Sequence, residues 1–153
     1  MFSNPLPTLN TVERLIHCLL GNQVEARNSA PGPDLTKPHV VASYVDDSNA
    51  VQRVLICELG LANSMGAAMS MIPAGVANDA TKAGVVAENI ASNLGEVLNI
   101  CVNLFTENST DRLTFSNLKV CSPKDPAPAT KTSVKYTIDI PRYTSGSLLA
   151  GSL

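Results

Sequence analysis

The run Val86–Phe105, VAENIASNLGEVLNICVNLF, constrains this chain more than any other stretch. On a helix of about 3.6 residues per turn, Asn89, Ser92, Glu96, Asn99 and Asn103 fall on one narrow stripe. Nearly all the rest is apolar: Val86, Ile90, Leu94, Val97, Leu98, Ile100, Cys101, Val102, Leu104 and Phe105. A helix this apolar is buried over most of its surface, so the fold must cover it on several sides. Surface helices commonly pair Lys with Glu on their wet side, and this one has neither Lys nor Arg. One acid among several amides makes a stripe suited to contacting something.

The chain has 153 residues, 44% of them apolar and 16% charged. That is the size and balance of one globular domain with a real core, not of a disordered chain. The net charge is −2 and no large Lys/Arg cluster exists, which argues against a generic nucleic-acid surface. Three Phe, three Tyr and no Trp make a poor base-stacking platform. The start, MFSNPLPTLN, lacks the charged head and apolar run of a signal peptide, and no stretch has the length of a membrane span. Cys18, Cys57, Cys101 and Cys121 are far apart, each in an apolar segment, and His17 and His39 have no partner motif. Buried, reduced thiols in a cytoplasmic protein, with no metal site, are therefore expected.

Taken in order, residues 1–7 read as a mobile tail. Asn10-Thr11-Val12-Glu13 fits a capping box opening an amphipathic helix on Val12, Leu15, Ile16, Leu19 and Leu20, stopped by Gly21. His17 reads as a partly exposed side chain of that helix. Gln23–Arg27 reads as a short strand, and the Pro-rich Asn28–Pro38 as a loop. His39–Val45 and Val51–Glu58 are β-branched runs around Asp46-Asp47-Ser48-Asn49, a hairpin whose tip explains the two acids better than a metal would. Leu61–Ile72 reads as a helix whose Gly66, Ala67 and Ala68 admit a close neighbour, and its methionines as core filling. Val76–Ala83 reads as a short helix. Arg112–Cys121 reads as a strand, and Ser133–Ile140 alternates cleanly, with Val134, Tyr136, Ile138 and Ile140 on one face. Gly146–Leu153 is Gly/Ser-rich and reads as loose. No internal repeat is apparent. The expectation is a single α+β domain, a mostly antiparallel sheet with long helices against it, over residues 8–141, with 1–7 and 142–153 as flexible tails.

Walker loops, G-x-G-x-x-G after a strand, G-x-S-x-G and H-E-x-x-H are all missing. What remains is Glu96-Val97-Leu98-Asn99, an E-x-x-N whose spacing sets carboxylate and carboxamide side by side. Here the chain resembles a family, the CheC/CheX/FliY phosphatases of bacterial chemotaxis, and within it the CheX type. The resemblance is carried at residue level by Asn93-Leu94-Gly95-Glu96-Val97-Leu98-Asn99-Ile100, with Glu88 upstream. The order of elements is similar from Thr8 to Pro141, including Ile138-Asp139-Ile140-Pro141 as a closing strand.

The resemblance implies a CheC-like fold and an enzyme, a hydrolase acting on the aspartyl phosphate of a CheY-like response-regulator receiver. Asn99 would position the attacking water and Glu96 would anchor the receiver's active-site lysine. Asn89, Ser92 and Asn103 would contact the partner. The receiver would supply Mg²⁺, so the chain would need no cofactor of its own, and its single motif would fit a homodimer. Two positions depart from the family's pattern, Leu98 where a small residue is common and Asn103 where Gly or Ala is. They leave open a second reading, a CheC-like module that binds receivers or associates with itself in a signalling complex and hydrolyses little or nothing. The plainest reading makes Glu96 and Asn99 the wet edge of a core helix.

Overall fold

The computed structural model describes residues 5–29, 31–107 and 109–153. Among these residues, five helices and six strands follow in the order α1 (Leu9–Leu20), β1 (Glu25–Asn28), β2 (His39–Val45), β3 (Val51–Glu58), α2 (Leu59–Met69), α3 (Ala74–Lys82), α4 (Glu88–Ile100), α5 (Asn103–Thr106), β4 (Thr114–Cys121), β5 (Thr132–Asp139) and β6 (Gly146–Ser152). The strands form one sheet in the order β1-β5-β6-β3-β2-β4, antiparallel throughout. It is the expected single α+β domain. Exchanging β1, β2 and β3 for β4, β5 and β6 reverses this order and leaves it unchanged. The fold thus contains a two-fold repeat of strand order that the sequence does not announce.

Alternation along the strands sorts the core into two faces. Val40, Ala42 and Tyr44 of β2 join Leu55, Cys57, Tyr136, Ile138, Leu148 and Ala150 against α1, α2, α4 and α5. Val41, Val54, Ile56 and Cys121 form a smaller cluster on the other face with Leu35, Leu149 and Leu153. The β2–β3 hairpin runs as expected, with His39 opposite Glu58 and Ser43 opposite Val54.

Gly146–Leu153 is a correction. It is not a loose tail: residues 146–152 form β6, held between β3 and β5 near the centre of the sheet. Its glycines serve close approach. A Cβ on Gly151 would lie 2.5 Å from the Thr130 methyl, and one on Gly146 would lie 2.8 Å from the Leu61 Cβ. At the other end, residues 1–4 of the expected N-terminal tail lie outside the described residues, but Pro7 is buried and its carbonyl accepts the Tyr136 hydroxyl at 2.8 Å. The α1 cap is also corrected. Thr8, not Asn10, caps the helix, its hydroxyl accepting the Thr11 N–H at 3.2 Å, and Gly21 ends it as expected.

The long helix is broken. Cys101 N–H still donates to Val97, but Val102 N–H donates to Asn99, Leu104 to Cys101 and Phe105 to Val102, the three-residue spacing of a tighter turn. The cause lies in β2. The buried Tyr44 hydroxyl donates to the Leu98 carbonyl at 2.6 Å, taking the acceptor that an unbroken helix would offer Val102. Tyr44 is wedged there by Phe105 and Phe115, with ring centroids 5.4 and 5.7 Å away. Under α4, Gly66 of α2 provides the expected close approach, since a Cβ there would stand 2.5 Å from the Ile90 Cγ2. Among the described residues no helix is long and apolar enough to cross a membrane.

Candidate functional site

α4 carries four of the five stripe residues, and its orientation is fixed by what it buries. Ile90, Leu94 and Leu98 are fully buried and Val97 nearly so, which turns Asn89, Ser92, Glu96 and Asn99 outward. Leu98, beside the motif, belongs to the core and presents no side chain to the surface. Gly95 sits between Ser92 and Asn99 on the outer face, and a Cβ there would meet nothing within 4 Å. The helix is therefore bare next to Asn99, and a partner can approach its backbone.

None of the side chains of Asn89, Ser92, Glu96 and Asn99 has a hydrogen bond or ion pair among the described residues. Glu96 and Asn99 are exposed neighbours at i and i+3, about 5–6 Å apart at Cβ in such a pair. Chemically, the pair offers one acceptor charge and one neutral group that can both donate and accept, on a dry-backed helix.

Asn103 is not brought to this stripe. The tightened turn at residues 101–105 advances it around the axis, since four residues rotate further at three per turn than at 3.6. It lies exposed on α5 and lines a groove of about 300 Å³ with Thr11, Arg14, Cys18 and Glu107. Arg14 and Glu107 pair across that groove at 3.0 Å.

Asn93 is a site residue that sequence periodicity passes over. Its Nδ2 donates to the Gly66 carbonyl at 3.0 Å and to the Ser70 hydroxyl at 2.8 Å, clamping α4 onto α2. The sequence signal for it is an amide one residue off the polar stripe, on the side of α4 that faces α2.

The remaining chemical side chains are structural. Burial pushes the Cys57 and Cys101 thiols up to about 12, so neither is a nucleophile near neutral pH. Cys121 is buried too, whereas Cys18 is exposed, contrary to expectation. A His17 ring nitrogen, Nε2, bonds the Val24 carbonyl at 2.8 Å, and His39 is buried with Nδ1 against the Lys37 carbonyl. Among the described residues no three His, Cys, Asp or Glu side chains are grouped to hold a metal ion.

No protein-family model matches the sequence, and no curated protein matches it. Solved structures do match its fold. FliY of Thermotoga maritima aligns with a TM-score of 0.63 at 13% identity, over 94% of this chain and 83% of that one. CheX of Borrelia burgdorferi, solved in complex with CheY, BeF₃ and Mg²⁺, aligns with a TM-score of 0.59 at 12% identity over 94% of each chain. A chemotactic CheC-like protein of Shewanella oneidensis aligns with a TM-score of 0.53 at 12% identity, over 95% of this chain and 92% of that one. The chain therefore has the fold of the CheC-like chemotaxis proteins.

Proposed function

We propose that the chain is a CheX-like phosphatase of a phosphorylated, CheY-like receiver domain. The observation that carries this reading is the outward pair Glu96 and Asn99, without a partner among the described residues, beside the bare helix face at Gly95. A core helix that needed only a wet edge would do better with alanine at residue 95, since glycine inside a helix costs about 0.5–1 kcal/mol.

The receiver holds Mg²⁺ and the phosphoryl group, so this chain's part is positioning. The Asn99 carboxamide holds a water in line with the scissile bond. Water oxygen bonds to phosphorus, the bond from phosphorus to the aspartyl oxygen breaks, and the receiver's carboxylate leaves. Such a reaction is accelerated by placement and charge, not by covalent help from the phosphatase. Glu96 pairs with the receiver's active-site lysine and sets the register of the docked helix. With Leu98 turned into the core and Asn103 turned toward α1, the two departures from the family's pattern lie away from the approach to Asn99.

The test is phosphate loss from a Mg²⁺-bound, acetyl-phosphate-charged CheY-like receiver, with wild-type chain and with Asn99→Ala. Acceleration by wild type alone is expected. Binding without acceleration would replace the enzyme with a receiver-docking module.

A further inference from the structure

Among the described residues, three other than glycine have a left-handed backbone: Asn49, Met71 and Arg142, with φ of 67°, 57° and 74°. Asn49 sits at the hairpin tip, where a short polar side chain tolerates that conformation. Met71 and Arg142 stand where glycine is customary. Met71 follows the C-cap of α2, with Ile72 N–H on the Ala67 carbonyl at 2.9 Å and Met71 N–H on Ala68 at 3.3 Å, the double bond pattern that favours glycine at this position. Arg142 is the third residue of the turn Ile140-Pro141-Arg142-Tyr143, closed by Tyr143 N–H on Ile140 at 3.0 Å, a turn that again favours glycine there.

Neither side chain repays that strain within the fold. Met71 is 83% exposed, and Arg142 is exposed with no ion pair or side-chain hydrogen bond among the described residues. Yet both line one groove of about 470 Å³, with Leu20, Pro73, Pro141 and Tyr143. Tyr143 is fixed by its hydroxyl on the Ile72 carbonyl at 2.6 Å. Arg142 is the one charged residue among the described residues that line it. The link from the groove to α4 runs through Ser70, next to Met71, which accepts the Asn93 amide at 2.8 Å, and Asn93 lies about 60° around α4 from Glu96.

We infer that Met71 and Arg142 anchor the docked receiver: Met71 enters an apolar patch on it, and Arg142 pairs with a carboxylate beside that patch. Two strained positions with unsatisfied side chains on one groove mark a binding surface held at the expense of stability. A long, polarizable methionine suits an apolar contact that must adapt, and an unpaired guanidinium calls for an acid on the partner. This inference rests on the reading of α4 as the receiver-docking helix.

The test measures affinity for a CheY-like receiver loaded with Mg²⁺ and beryllofluoride, together with melting temperature, for wild type, Met71→Gly, Arg142→Gly, Met71→Leu and Asn49→Gly. Met71→Gly and Arg142→Gly are expected to melt about 2–4 °C higher, since each relieves backbone strain in a chain of this size. Both are expected to bind about tenfold more weakly, a modest loss for an interface anchor. Met71→Leu is expected to keep most of the affinity and Asn49→Gly all of it. Wild-type affinity in both glycine variants at positions 71 and 142 would overturn the anchors while leaving the α4 reading intact. A lowered melting temperature in both would assign the side chains to the fold and overturn them as well. Failure of the wild-type chain to bind any receiver from its own genome would overturn both readings together.

Discussion

Two polar clusters in this chain look alike in composition and are used in opposite ways. At the β2–β3 tip, Asp46 Oδ1 accepts from Ser48 N–H at 2.9 Å, the Ser48 hydroxyl at 2.7 Å and Ala50 N–H at 3.1 Å, while Oδ2 accepts from Gln52 at 2.8 Å. Glu58 is similar, with one oxygen on Ser147 N–H at 2.6 Å and the other on Asp34 N–H at 3.2 Å. On α4, Asn89, Ser92, Glu96 and Asn99 have no such partners among the described residues. A carboxylate that gathers the N–H and O–H donors of its own turn is structural, because those bonds hold the turn's backbone in place. A carboxylate and an amide with no internal partner keep their hydrogen-bonding capacity for another molecule. The type of residue does not separate the two cases. The destination of its hydrogen bonds does.

The sharpest way to break this contrast is at Asn99. Asn99→Ala is expected to slow receiver dephosphorylation at least about 100-fold, about 2.7 kcal/mol in the barrier. Stability should stay within about 0.5 kcal/mol, as for other surface changes away from structural features. A phosphate-release assay and urea denaturation of the same sample read both. Strong destabilisation would place Asn99 with the hairpin tip, as a structural polar group. Next in size is Tyr44→Phe, which leaves the Leu98 carbonyl buried without its donor. The expected loss is about 1–3 kcal/mol in urea unfolding. An unchanged midpoint would mean that the helix break between α4 and α5 has some other cause.

Much of this arrangement is legible in the sequence, and the failures share one cause. The hairpin and β5 follow from period-two alternation, and α1 and α4 from helical period, because each buries one face. Glu96 and Asn99 are legible for the same reason: once Leu94, Val97 and Leu98 face inward, the opposite side is determined. β6 is not, since Gly146-Ser147-Leu148-Leu149-Ala150-Gly151 has the composition of a linker. Its two glycines fit because Leu61 and Thr130 press on them, contacts from elsewhere in the chain. The break after Ile100 depends on Tyr44, 54 residues before Leu98. The role of Asn93 likewise depends on Ser70 and Gly66 being brought beneath it. Local periodicity carries local burial, and it is silent about which distant atom arrives.

Gly95 sharpens the comparison from the stripe's side. Gly95→Ala is expected to stabilise the chain by about 0.5–1 kcal/mol, the ordinary gain for filling an exposed helix position. The added methyl projects into space that is open in this structure, beside Asn99. Receiver affinity should therefore fall as stability rises, measured by titration and melting on one preparation. A gain in stability with unchanged affinity would mean that no partner approaches the helix backbone at this point.

The smallest effect expected belongs to Asp46, and it tests the structural half of the contrast. The Ser48 hydroxyl first, then Ala50 N–H and Gln52, hold its carboxyl down to about 2 from an ordinary 3.8. A depressed carboxyl favours the folded state in its charged form, so its contribution is full above the unfolded value and is lost as pH falls through the folded one. Between 3.8 and about 2 the tip therefore weakens progressively, and above that window it is insensitive to pH. The side-chain carboxyl resonance of Asp46, followed by NMR, should titrate with its midpoint near the lower limit. The stability gap between wild type and Asp46→Asn should close over the same interval. A midpoint at the ordinary value would show that those donors do not engage the carboxylate in solution. The tip would then resemble the α4 stripe, and partnerless side chains would no longer distinguish a site from a turn.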